Sequence, residues 1–279
     1  MKIQMETTPH ASSKPQFMSF MNLIKSNFGN DESLEQTFTG GPDIIHFWGG
    51  WNKITAWHAH IAYSKNIPYI ITPAEAYMPW EMTKTPLKRA TGALHYEKKF
   101  VRQAQHILVC GKMEADYMKA MKWNSNISCI ANPFVTYGIT SEDAIDSLKK
   151  LYQETIALYD QHLRRMIVNK AKEICSNAEI NDPTLETIEQ LMEKILYLRY
   201  LYQRNNIPRQ VLEELALFMN QQNYNEEIMA QMLEQQKLLK FTSELEAVLY
   251  NEGLLTEGFM PVIRRHDRIC EKISNSISN

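Results

Sequence analysis

The residues of this 279-residue chain best suited to chemistry gather around one glycine turn. Trp48, Gly49, Gly50 and Trp51 follow the apolar run Asp43-Ile-Ile-His-Phe, with Trp57 and Trp80 further on. Indole faces stack on flat apolar surfaces such as sugar rings, and glycine admits a ligand close to the backbone because no Cβ intrudes. Trp48 and Trp51 read equally well as a stacking pair or as helix-on-sheet packing, and Trp57 reads as core. His58 and His60 could suggest a metal, but i and i+2 point to nearly opposite sides of a helix and no third ligand is near. The chain carries no GxGxxG, no P-loop and no GxSxG, so neither a phosphate cradle nor a serine-hydrolase elbow is supported. No metal and no cofactor is expected.

The elements that must position these residues alternate. Lys2–Thr7 reads as a short strand and Phe17–Phe28 as a helix with Phe17, Phe20, Met21 and Ile24 on one face. A polar surface loop is expected over 29–42. Strands follow at 43–48, 68–72, 106–110 and 126–130, separated by helices at 51–65, 85–91 with 93–105, and 112–121. Asn66 closes the first of these helices. This alternation implies βαβ crossovers and an α/β fold with a reduced Rossmann-like parallel sheet, over residues 1–138. In such a sheet the turn at 48–51 and the loop at 73–80 lie at carboxyl strand ends, where ligands bind.

From 139 the pattern becomes helical, an all-α domain to residue 279. Thr140 or Ser141 caps a long helix, Asp182-Pro183 opens a second, Pro208 a third, Glu226–Tyr250 is a fourth and Phe259–Ile273 a fifth, with no strand expected. Their Leu, Ile, Met and Tyr stripes pack on one another, or present an apolar groove to a protein partner.

The net charge of −2 hides a division. Residues 1–138 hold 14 Lys/Arg against 10 Asp/Glu, and the remainder 16 against 22. A +4 half is too weakly basic to argue for nucleic acid. Lys84, Lys88, Arg89, Lys98, Lys99 and Arg102 form a basic run, read as a solvated face or a contact with an anionic membrane surface. Cys110 and Cys129 fall in strand-like runs, where buried reduced thiols are expected. No signal peptide opens the chain and no run approaches about 18 apolar residues. A cytoplasmic address without a transmembrane segment follows.

Over residues 43–137 the chain resembles the acceptor-side domain of glycosyltransferase family 4, which has the GT-B fold. Asp43-Ile-Ile-His46 with Gly49 resembles the family's strand and glycine turn. Ile67-Pro68-Tyr69, Thr72-Pro73 and Pro79-Trp80 resemble the next strand and loop. Tyr96-Glu97-Lys98-Lys99 resembles the aromatic-Glu-basic helix, and Ile130-Ala-Asn132-Pro133 the strand leading to the linker. The resemblance implies ligand contacts from His46, Trp48, Gly49, Gly50, Trp51, Pro73, Tyr77 and Trp80. Pro9-His-Ala-Ser-Ser13 stands where the family has a glycine-rich loop, and Ala74-Glu75 where it has His-Gly. Glu75 is the one catalytic candidate, as a base or a ligand of sugar hydroxyls, against the plainer reading of a solvated loop residue.

The family's donor-binding domain has no counterpart: Glu257–Ile263 matches it only loosely, and Glu226 and Glu234 share its spacing within a polar helix. The resemblance therefore implies a partial acceptor-side module tied to bacterial surface-polysaccharide synthesis. It would take a glycan or lipid-linked sugar, peripheral to the inner membrane face, without autonomous hexosyl transfer. The rival is a non-catalytic scaffold or regulator whose helical half binds a protein.

Overall fold

The computed structural model describes residues 1–28, 41–177, 182–255, 262–265 and 267–278. The expected loop at 29–42 therefore lies almost wholly outside the described residues, as does Glu257. The chain forms two compact units, 1–160 and 161–279.

The first unit is built on five parallel strands in consecutive order: β1 (Ile3–Thr7), β2 (Ile44–Trp48), β3 (Tyr69–Thr72), β4 (His106–Val109) and β5 (Ile127–Cys129). Alternation along each strand divides the side chains between two faces. Ile44, Trp48, Ile70 and Leu108 pack with Phe17, Phe20, Met21 and Ile24 of the Pro15–Phe28 helix. Ala144, Leu148, Leu151 and Tyr152, from the first turns of the Ser141–Ser176 helix, complete that face. Ile45, Phe47, Tyr69, Ile71, Ile107 and Val109 pack instead under the helices Lys53–Ser64, Lys98–Gln103 and Lys112–Met121.

The change from sheet to helix grammar at 138/139 thus differs from the division into compact units. The long helix starts at Ser141, and its opening turns belong to the sheet's core. Thr140 caps it as expected, its Oγ1 accepting from Asp143 N at 3.1 Å.

Two faces and one strand order produce a crevice. The helix that follows β1 lies on one face, and the helices that follow β2, β3 and β4 lie on the other. The exits of β1 and β2 therefore diverge, making a topological switch point at the sheet's carboxyl edge. Gly49 keeps these exits close: its φ is +93°, and a Cβ there would lie 1.9 Å from Thr8 Oγ1.

The second unit packs the rest of the long helix with Leu185–Gln203, Arg209–Gln221, Glu226–Gln235, Leu239–Asn251 and Arg268–Asn275. Three expectations are corrected here. The single helix at 226–250 is two, because Lys237 turns left-handed (φ +57°) and Leu238 N donates back to Leu233 O at 2.8 Å. A glycine normally marks such a stop, and here a lysine does the turning. The last helix begins at Arg268, where the Asp267 side chain accepts from Ile269 N, and 262–265 is irregular. A two-residue parallel pair, Ile207–Pro208 with Ile277–Ser278, occurs where no strand was expected.

Two residue-level expectations also change. Trp57 is 60% exposed rather than core. Cys129 is exposed, Cys110 half-buried, and none of the four cysteines is in a disulfide. No described helix is long and apolar enough to cross a membrane.

The close approach at Gly49 gives a direct test. Gly49→Ala combines a disfavoured φ with a clash against a side chain rooted in the neighbouring strand's exit, and should cost roughly 2–4 kcal/mol. Urea unfolding monitored by tryptophan fluorescence reads it as a lowered midpoint with unchanged slope.

Candidate functional site

The diverging exits of β1 and β2 open a cavity of about 320 Å³. Pro9 and His10 line it from the first exit, and Gly50, Trp51 and Asn52 from the second. The opposite wall is Lys84, Thr85, Lys88, Arg89 and Tyr96, from the Pro86–Gly92 helix and its flanks. Three of these ten residues are lysine or arginine and none is acidic. Asn52 caps the Lys53–Ser64 helix, accepting from Ile54 N and Thr55 N, so the positive end of that helix dipole also meets the cavity.

Trp51 is the pivot of the site. It sits at φ +60°, unusual for a bulky residue, and is held there by two bonds. Its backbone N–H donates to Glu97 Oε1 at 2.7 Å and its indole Nε1 donates to Ala76 O at 2.9 Å. The Arg89 guanidinium lies 4.7 Å from the indole centroid, a cation–π contact that poises the charge at the cavity wall.

Glu97 lies behind this turn, fully buried. Its Oε1 also accepts from Tyr77 Oη at 2.5 Å, while Oε2 has no partner. Burial pushes its pKa up to about 7, only partly opposed by the bonds from Tyr77 and Trp51 and by the Arg89 charge. Gly50 is required beside it, since a Cβ would stand 2.7 Å from Tyr77 Oη and 2.8 Å from Glu97 Oε1.

The loop after β3 repeats the device. Ala74 and Glu75 are both left-handed (φ +52° and +66°), and Glu75 N donates to Glu114 Oε1 at 2.7 Å. Glu114 is itself buried, and burial raises its pKa to about 7. The Glu75 carboxylate turns away to pair with Lys14 Nζ at 2.5 Å. His10 joins the two loops, its Nε2 3.2 Å from Ala74 O. Burial, and then the charge of Lys14, lower its pKa, which favours the neutral ring.

The residues singled out from sequence therefore separate. Gly50 and Trp51 line the cavity, with Tyr77 immediately behind them and Gly49 shaping the turn. His46 and Trp48 face the core. His46 bonds Tyr152 Oη (2.6 Å) and Thr72 Oγ1 (2.7 Å), and burial drops its pKa to about 3. Trp48 packs edge-on against Phe20. Pro73 is buried, Trp80 is 46% exposed, and neither lines the cavity; nor does Glu75.

His10, Asn52, Tyr96 and Glu97 were not anticipated as site residues, and the basic run divides. Lys84, Lys88 and Arg89 line the cavity, while Lys98, Lys99 and Arg102 do not. His58 lies 3.0 Å from Glu6 Oε2 through Nδ1. Among the described residues no cluster of His, Cys, Asp or Glu could hold a metal. No protein family, curated protein or solved structure matches this chain.

The two buried carboxyls give the fold a pH-dependent stability. Glu97 and Glu114 have folded-state pKa values raised from 4.5 to about 7. Their contribution is complete below pH 4.5 and is lost as pH rises to 7, up to roughly 3 kcal/mol each. Urea unfolding at pH 5 and pH 8 should show wild type losing stability across this window. Glu114→Gln should lose measurably less.

Proposed function

We propose that the α/β unit is a glycosyltransferase family 4-like acceptor module that holds an anionic sugar, such as a sugar phosphate or lipid-linked sugar phosphate, for surface-polysaccharide assembly. One observation carries this reading: a cavity at the switch point lined by Lys88, Arg89 and Lys84 (the last paired with Glu81 behind the wall), a helix N-terminus and aromatic rings, with no carboxylate among the lining residues. Its volume suits a monosaccharide with one or two phosphates. Lys84, Lys88 and Arg89 would take the phosphate oxygens, the guanidinium offering the planar fork that phosphate matches. The Tyr96 ring would face the sugar, and Trp51 acts by seating Arg89.

Transfer would also need a site for the sugar donor. The family's histidine is replaced by Ala74, and His10, bonded to the Ala74 carbonyl, is the cavity's imidazole. It is the group suited to accept a proton from a sugar hydroxyl. Leu87 and Leu94 are 83% and 84% exposed in the segment that carries Lys88 and Arg89, which suits an acceptor presented at a lipid surface.

Calorimetric titration with hexose 1-phosphates, nucleotide sugars and neutral disaccharides tests the reading. Phosphorylated sugars should bind, neutral ones should not, and Lys88→Ala with Arg89→Ala should weaken binding about 10- to 100-fold. Silence with every phosphorylated sugar refutes it. Marked preference for a nucleotide sugar over the matching sugar phosphate would make this a donor site and refute the acceptor assignment.

A further inference from the structure

Glu97 is a buried acid that the binding of a sugar phosphate does not itself require to titrate. Its Oε1 is doubly bonded, by Trp51 N and Tyr77 Oη, and its Oε2 is enclosed with no partner. An ionised carboxylate with one oxygen unsolvated is costly, so the favourable charge nearby matters more than usual. That charge comes from Arg89, which lines the cavity, lies 4.7 Å from the indole centroid of the same Trp51 whose N–H bonds Glu97, and has its Nε likewise buried without a partner. The other titratable groups bearing on Glu97 are the neutral phenols of Tyr69, Tyr77 and Tyr96. They offer no positive charge to replace that of Arg89. The remaining titratable groups on the cavity wall are His10, Lys84 and Lys88, and Glu81 is paired to Lys84 at 2.7 Å.

Arg89 is thus shared between a hidden carboxyl and whatever anion enters. An anion seated against Arg89 takes up the guanidinium's field and adds negative charge close to Glu97. Both effects disfavour the carboxylate and favour the neutral acid. We propose that anion binding in this cavity is coupled to uptake of one proton by the Glu97 carboxyl, with Arg89 as the link. The coupling rests on the anion-site reading above and specifies how that site is regulated. By reciprocity, the site binds anions more tightly as pH falls. Glu97 touches no ligand in this account. It is a positioning residue whose protonation sets the strength of Arg89.

Sulfate is the appropriate probe because it stays dianionic across the range used. Titration calorimetry at pH 8 and fixed ionic strength, in two buffers of different ionisation enthalpy, counts protons taken up per sulfate. Wild type should take up a large fraction of one proton, and its affinity should fall about tenfold between pH 7 and pH 8.5. Glu97→Gln keeps an oxygen for Trp51 N and Tyr77, and should bind sulfate with no proton uptake and a flat profile. His10→Gln should retain the uptake, which separates Glu97 from the imidazole on the cavity wall. Binding without proton uptake in wild type, or uptake lost in His10→Gln but kept in Glu97→Gln, overturns the coupling while leaving the anion site standing. No sulfate binding at any pH overturns the anion site and the coupling with it.

Discussion

Burying a carboxyl costs several kcal/mol unless its oxygens find donors, and this fold accepts that cost twice at one edge of its sheet. Glu97 receives the backbone N–H of Trp51, and Glu114 that of Glu75. Both N–H groups belong to residues in the left-handed region, which a glycine would occupy without penalty. A helix on the sheet's outer layer thus reaches in and holds each strand-end turn in a conformation its own sequence disfavours. The raised pKa of both acids is the counterpart of that arrangement. As neutral carboxyls they can still accept the backbone bond, without the desolvation cost of a charge.

The shape of the cavity follows from this bracing. With Trp51 left-handed, its indole lies under Arg89, and the guanidinium is directed to the wall between the exits of β1 and β2. Gly49 and Gly50 serve the same geometry from the other side, one for contact with Thr8 and one for contact with Tyr77 and Glu97. A positive, aromatic-lined crevice at the carboxyl edge of a parallel sheet is the place where such folds bind ligands. Here its charge is set partly by a residue that ligand cannot touch.

Much of this was legible in the sequence, for a physical reason. The strands at 44–48, 69–72 and 107–109 are buried on both faces, so they appear as nearly continuous apolar stretches between helices of amphipathic period. The glycine pair marked the turn, and the carboxyl strand ends marked the region of the site. What remained hidden depended on tertiary placement. Glu97 sits in a polar stretch with two lysines after it, and nothing local shows that its carboxyl turns inward. Lys84, Lys88 and Arg89 appeared as half of one basic run, because periodicity does not say which half borders a cavity. His46 and Trp48 were given to the ligand from their place beside the turn, yet strand alternation points both to the inner face. Lys237 was missed as a helix stop because the left-handed turn there is not made by a glycine.

Neutral, buried carboxyls bracing two backbone amides hold both strand-end turns in place. NMR observation of the side-chain carboxyl carbons of glutamate, together with the Trp51 and Glu75 amide resonances, examines that directly. Two carboxyl resonances should titrate with midpoints near pH 7, and each should move in step with its own amide, Trp51 with Glu97 and Glu75 with Glu114. Amide resonances of Trp51 and Glu75 that stay fixed from pH 5.5 to 8.5, with every glutamate titrating in the ordinary carboxylate range, would contradict it.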